Sequence, residues 1–278
     1  MTDWNYLQKL ADLTQDGYLP TLGAWVQVVP PNITTRLNAF NTLASQHLVV
    51  ALLDQTGDLA GPLWEGTVPA GRALRLDLAT LLTKTPFEGA VWVCAKGEDG
   101  KGDIGIQAMD LDFIDTSRPA GHVLGTVHMM QDFYNTLGIA PWLDLLSPRV
   151  TIELGPDGEA LTTNYLGLAH HPIDSAKGSD LEIRVANEAG EWLVAKERLK
   201  VAPLGSAFLA LEVLLPTLKD HLVKPGATRG FGTVNIREMT PGAAIGLCAM
   251  LKVTDNETGD FRVDHLNDRH FAKPTQKG

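Results

Sequence analysis

Polar and apolar positions alternate along this chain in short runs, with turn residues between them. Residues 24–29, Ala-Trp-Val-Gln-Val-Val, end at Pro30-Pro31. Thr34 to Phe40 alternates, and His47 to Leu53 is a continuous apolar run of the kind a strand buried on both faces requires. Asp54-Gln55-Thr56-Gly57 carries hairpin-turn chemistry, with Gly57 free to take a positive φ. Leu63 to Val68, Ala73 to Leu78, Val91 to Ala95 and Ile104 to Phe113 predict further strands. After residue 150 the pattern resumes with Val150 to Leu154, Ala160 to Leu168, Leu181 to Val185, Trp192 to Lys196, Leu199 to Val201, Ala207 to Leu215, Thr233 to Arg237, Ala244 to Val253 and Phe261 to Val263. Short strands at this spacing predict an all-β, mainly antiparallel protein built from sandwiches, not βαβ units. Two stretches predict helices: Asp3 to Leu13, and Thr126 to Leu137, where Val127, Met130, Tyr134 and Leu137 fall on one face and Gly138 follows.

The second half echoes the first. Ile104-Gly-Ile-Gln-Ala-Met109 returns as Ile245-Gly-Leu-Cys-Ala-Met250, 141 residues on. Leu48 to Gly57 corresponds to Leu181 to Gly190 at an offset of 133, and Val68-Pro-Ala-Gly71 to Val201-Ala-Pro-Leu-Gly205. The Gly- and Pro-rich segment 219–232 accommodates the difference between the offsets. An internal duplication is the expectation. It divides the chain into a first β-sandwich unit with its helix at 1–120, a linker with a helix at 121–149, and a second unit at 150–278, the two packed as a pseudo-twofold pair. Gly105 and Gly246, inside strands, mark a bulge or close backbone approach in each unit.

Length agrees, since 278 residues is a two-domain length. The net charge of −10, without a basic block, points away from nucleic acid and from anionic membranes. No apolar run reaches the ~18 residues of a membrane span, and Met1-Thr-Asp-Trp4 lacks the basic start of a signal peptide. Cys94 and Cys248 lie in separate apolar runs and read as buried free thiols. A cytoplasmic protein is expected.

Gly61-Pro62, Thr67-Val-Pro-Ala70, Arg72, Arg75 and Asp77-Leu78, with Gly17-Tyr-Leu-Pro20, resemble the small β-sandwich family of soluble sensory-rhodopsin transducers. The resemblance covers the stretch up to Leu78; that family has one sandwich per chain, whereas this chain has two units and an extra leading helix. It implies a β-sandwich, association through sandwich faces, and work as an adaptor or ligand-binding module without catalysis.

Candidate chemistry is sparse. His265, Asp268 and His270, beside Asp264, form the densest set of metal-capable ligands; they read as a solvated C-terminal loop, and no metal or other cofactor is expected. His170-His171-Pro172 reads as a surface loop, because adjacent residues on an extended chain point apart. Asp255 to Asp260 lacks calcium-loop spacing and reads as a hairpin turn. The glycines at 97, 100, 102 and 105 precede a strand, not a helix, and offer no phosphate cradle. No nucleophile elbow or Walker sequence occurs. The tryptophans could supply a stacking surface, with Trp64 and Trp92 as the ligand-binding candidates against a default of core burial.

The expected function is a non-catalytic binding or assembly module, a homo-oligomer with a protein partner or small ligand. The alternatives are an enzyme with its site in the cleft between the units, using His122, His128, Tyr134 and His170, or a carbohydrate or small-molecule binder using exposed tryptophan.

Overall fold

The computed structural model describes residues 15–41, 44–98, 106–118, 122–129, 144–172, 178–239, 245–265 and 267–268. The first eight strands are β1 (Leu19–Val28), β2 (Ile33–Asn41), β3 (Gln46–Leu53), β4 (Trp64–Val68), β5 (Arg72–Asp77), β6 (Phe87–Gly97), β7 (Ile106–Asp115) and β8 (His122–Met129). They form sheet A, in the order β1-β6-β3-β4, and sheet B, in the order β5-β2-β7-β8. All their pairings are antiparallel. Leu48, Val50, Val91 and Val93 of sheet A meet Leu37, Ala39, Leu111 and Phe113 of sheet B in one buried core.

The rest of the chain contributes β9 (Asp144–Glu153), β10 (Thr162–Pro172), β11 (Ser179–Asn187), β12 (Trp192–Val194), β13 (Leu199–Val201), β14 (Ser206–Ala210), β15 (Arg229–Glu238), β16 (Ile245–Asp255), β17 (Phe261–His265) and β18 (Asn267–Asp268), with short helices α1 (Leu211–Leu214) and α2 (Leu218–Leu222). Sheet C runs β12-β11-β15-β9-β18, with β13 also on β11, and sheet D runs β14-β10-β16-β17. A second core, including Leu181, Ile183, Val185, Val234 and Ile236 from C and Leu166, Leu168 and Leu251 from D, lies between them. The all-β, antiparallel expectation is met.

Strand order recurs. Replacing β1, β6, β3 and β4 by β9, β15, β11 and β12 turns sheet A into sheet C, and replacing β5, β2, β7 and β8 by β14, β10, β16 and β17 turns B into D. Two local devices recur with it. Asp54 Oδ1 accepts from the amides of Thr56 and Asp58 at 2.8 and 3.0 Å, and Asn187 Oδ1 accepts from those of Ala189 and Glu191, both at 3.0 Å. Each of these turns closes through a glycine of positive φ, Gly57 at 90° and Gly190 at 80°. Buried Thr35 Oγ1 donates to the Gln27 carbonyl (2.7 Å) and accepts from the Gln27 amide (3.3 Å), tying the start of sheet B to the edge of sheet A. Buried Asn164 does the same for Thr151, its Nδ2 donating to the carbonyl (2.9 Å) and its Oδ1 accepting from the amide (3.1 Å).

These ties also set the register. Thr35 pairs with Phe113, and Asn164 with Val253, so the position equivalent to Met109 is Ala249, not Met250. Met109 turns into the first core beside Leu111 and Phe113, while Met250 points out of the second sandwich. The repeated hexapeptide is therefore one residue out of step, and a one-residue slip reverses every side chain. Gly105 lies outside the described residues. The match of Leu48 to Leu181 is in step, since both turn inward.

Other expectations change. The helix placed over Thr126–Leu137 is strand β8 through Met129, paired with β7; residues 130–143 and the helix at 3–13 lie outside the described residues. The 121–149 linker thus begins and ends in sheet, His122–Met129 and Asp144 onward. The strand foreseen over 207–215 stops at Ala210 and turns into α1.

Between the two halves, β8 lies beside β17, its counterpart in strand order, and the outer side and β1 edge of sheet A meet the outer side of sheet D. Trp25 of β1 is fully buried between Phe208 of β14 (centroids 4.6 Å apart, planes 8° apart) and Phe113 (5.7 Å, 17°). It lies against Gly167, where a Cβ would come within 2.6 Å of the indole. Ala51, Leu53, Ala90 and Trp92 on the outside of sheet A are sealed by Ala169 and Leu204. At the seam Lys252 is buried; its Nζ donates to Gln27 Oε1 (2.8 Å) and sits 4.1 Å from the Phe261 ring centre. Burial pushes this ammonium down to about 8, against the upward pull of the Glu88 carboxylate.

Candidate functional site

Sheet A and sheet D spend their outer faces on each other, which leaves the outer faces of B and C. On sheet B the sequence alternates strictly: Leu37 and Ala39 of β2 and Leu111 and Phe113 of β7 turn inward, so Arg36, Asn38 and Phe40, with Asp110 and Asp112, turn outward. Register brings Arg75 of β5 opposite Asn38, and Asn38 opposite Asp110. One step along, Arg36 lies opposite Asp112. The result is a groove of about 520 Å³ across the face, bounded by Arg36, Arg75, Asn38, Asp110 and Asp112, with the apolar surfaces of Phe40 and Val123 exposed beside them (45% and 48%).

The polar groups are held in part by each other. Asn38 Nδ2 donates to Asp112 Oδ2 at 2.8 Å. Asp77, across from Arg36, is occupied by the Thr34 hydroxyl (2.6 Å) and the Ala79 amide (3.0 Å). Among the described residues neither Arg36 nor Arg75 has a carboxylate within ion-pair distance, whereas Arg118, Arg149, Arg198 and Arg229 are each paired. The groove offers two guanidinium donors without an ion-pair partner among the described residues and, on the neighbouring β7, carboxylate acceptors, which suits binding of a polar solute.

The residues foreseen from sequence fall elsewhere or at the margin. His128 lies on β8 with Asp110 as its backbone partner, next to the groove; His122, at the start of β8, pairs with Asp115. Tyr134 lies outside the described residues. His170 is not on a surface loop but fully buried on β10, its Nδ1 accepting from the Leu204 amide (3.3 Å) and its Nε2 without a hydrogen-bond partner among the described residues. Burial pushes its imidazole down to about 4, so it stays neutral near pH 7 and is walled off from any solute. Trp92 is 1% exposed and packs in the seam, so it presents no stacking surface; Trp64 is half-buried against the first core, with its ring over Gly66. Trp192 is the exposed tryptophan of the described set, at 44%, with the Arg184 guanidinium 4.2 Å from its ring centre on sheet C. His265 and Asp268 belong to β17 and β18, and His270 lies outside the described residues. Among the described residues no three potential metal ligands converge. Asp255 to Asp260 forms the hairpin turn between β16 and β17, with Gly259 at φ 75°. No helix among the described residues is long and apolar enough to cross a membrane.

No protein-family model and no curated protein matches the chain. Among solved structures it is similar to a Thermotoga maritima protein, 1070, at 12% identity and a TM-score of 0.32, over 46% of this chain and 94% of that one. It is also similar to a Streptomyces avermitilis α-L-rhamnosidase solved with L-rhamnose (10% identity, TM-score 0.24, 91% of this chain and 26% of that one). A third likeness is to the tandem CBM22 domain of Xyn10C from Paenibacillus barcinonensis (10%, TM-score 0.20, 89% and 85%).

Proposed function

We propose that this protein is a non-catalytic binding module, two copies of one sandwich, that holds a small polar ligand on the outer face of sheet B. The groove over Arg36, Arg75, Asn38, Asp110 and Asp112 carries the reading: two cations without an ion-pair partner among the described residues share an open face with two carboxylates, flanked by Phe40. Descent from one sandwich is supported by the recurring strand order and by the paired Thr35 and Asn164 ties. The resemblance of the first half's turn sequences to the soluble transducer family points the same way.

A groove-filling variant tests the reading. Asn38→Trp places a ring over the open face, where substitutions away from the core leave stability nearly unchanged. Thermal shift against a library of sugars, hydroxy acids, amino acids and nucleotides is expected to find ligands that raise the melting temperature of the wild type and not of this variant. A library without a stabilising ligand, or ligands that stabilise both proteins equally, overturns it.

A further inference from the structure

We infer that the ligand of the sheet B groove is an acidic saccharide, gripped through a uronic-acid unit whose carboxylate meets Arg36 and Arg75 and whose hydroxyls meet Asp110 and Asp112. This rests on the binding role proposed above and specifies its chemistry.

The cationic side comes first. Arg75 pairs across β5 and β2 with Asn38, and Arg36 lies two residues along β2, so the two are diagonal neighbours on one face. Both guanidiniums lack a partner among the described residues. A planar guanidinium matches a planar carboxylate through two parallel hydrogen bonds, and two of them side by side select an anion more firmly than one. The chain as a whole carries a net charge of −10, so bulk electrostatics do not draw polyanions to it; any attraction is local to this pair.

The acidic side narrows the choice. Asp110 and Asp112 follow each other on the outer face of β7, and Asp112 already accepts from Asn38. An ionised carboxylate only accepts, so whatever meets this wall must donate. An acidic peptide side chain brings a carboxylate without hydroxyl donors beside it. A sugar carboxylate brings its own hydroxyl donors on the same ring. Arg75 and Asp110 flank Asn38 from opposite sides, two strands apart, roughly 10 Å at the usual strand spacing, while Arg36 lies on the strand next to Asp112. Phe40 and Val123, both exposed, supply apolar surface for the C–H face of a ring. A volume of about 520 Å³ admits more than one such unit, which favours a saccharide chain over a free sugar acid.

The test is calorimetric titration of the full chain with tetragalacturonate, with free galacturonic acid, and with the carboxyl-reduced neutral tetrasaccharide. Binding of tetragalacturonate is expected, weakened on the order of tenfold by Arg36→Ala or Arg75→Ala, and by a smaller factor by Asp112→Asn. The neutral tetrasaccharide and the free acid are expected to bind at least about tenfold more weakly. Arg36→Lys keeps the charge without the fork and is expected to recover only part of the loss. Circular dichroism confirms that each variant is folded. Equal binding of the neutral tetrasaccharide, abolished by Asn38→Trp, overturns this inference and leaves the binding groove standing. Tetragalacturonate binding indifferent to both arginine variants, or equalled by heparin and erased by moderate salt, overturns it as well. Stabilising ligands that ignore the groove variant overturn the binding role beneath it.

Discussion

β3 and β11 hold the same place in sheets A and C, and their inward residues correspond: Leu48, Val50 and Leu52 against Leu181, Ile183 and Val185. Their outward residues do not. β3 turns Val49, Ala51 and Leu53 outward and buries all three, at 2%, 1% and 0% exposure, whereas β11 turns Glu182 and Arg184 to the surface. The same division separates the other two sheets. Sheet D covers Tyr165, Gly167 and Met250 against the first half, while sheet B leaves Arg36, Asn38 and Asp110 open at the matching positions. An antiparallel strand that is apolar on both faces needs a cover on both, and one that alternates faces water on one side. Outward polarity therefore decides which sheets dock on each other and which remain free to meet a ligand.

Exchanging outward residues between β3 and β11 probes this contrast most strongly. Val49→Glu places a carboxylate in a sealed apolar layer, a cost of several kcal/mol, enough to abolish soluble folded protein or to move its denaturation midpoint far down. Glu182→Val removes only a long ion pair to Arg237, 3.9 Å, and is expected to stay within about 1 kcal/mol. Comparable losses in the two variants would break the comparison.

Tryptophan truncation gives the next contrast. Trp25→Ala empties the ring site between Phe113 and Phe208 and is expected to cost about 3–5 kcal/mol in denaturant unfolding. Trp192→Ala, on the open sheet, is expected to cost less than about 1 kcal/mol.

Acid separates the two halves differently. His170 is held near 4 when folded, below its ordinary 6.5, so the unfolded chain takes up the proton first as pH falls. Stability is full above about pH 6.5 and declines toward pH 4, by up to about 3 kcal/mol from this one group. His170→Asn keeps an acceptor for the Leu204 amide and does not titrate; its melting temperature is expected to fall less between pH 6.5 and 4 than that of the wild type. Parallel profiles would remove His170 from the account.

Turn glycines give the smallest contrast. Gly190→Ala enters open space and is expected to cost only the left-handed penalty of about 1 kcal/mol. Gly57→Ala pays that and also meets the Pro203 carbonyl oxygen at 2.7 Å, so it is expected to cost more. Equal costs would place Pro203 away from the turn.

Local chemistry was legible in the sequence, and convergence was not. Asp54-to-Gly57 and Asn187-to-Gly190 declared their turns because an Asx side chain and a glycine suffice to make one. The continuous run of β3 announced burial on both faces, but not that Leu204, more than a hundred residues later, would supply part of the cover. The segment from Thr126 offered helical spacing over a window too short to exclude alternation, and pairing with β7 decided for strand. The repeated Ile-Gly-x-x-Ala-Met matched in letters and not in face, because face depends on a ladder fixed by distant partners such as Thr35 and Asn164. The groove was missed for the same reason. Asp110-Leu-Asp112-Phe and Arg36-Leu-Asn38-Ala show the alternation, but nothing in either string says that their polar sides meet Arg75 from a third strand.

The most direct test is a nuclear magnetic resonance titration of isotopically labelled protein with tetragalacturonate, following backbone amides and the Nε–Hε groups of the arginines. The account predicts saturable shifts confined to β2, β5 and β7, largest at Arg36 and Arg75, with the Leu204 seam and the outer face of sheet C unmoved. Shifts centred on Arg184 and Trp192, or the absence of any saturable change, would contradict it.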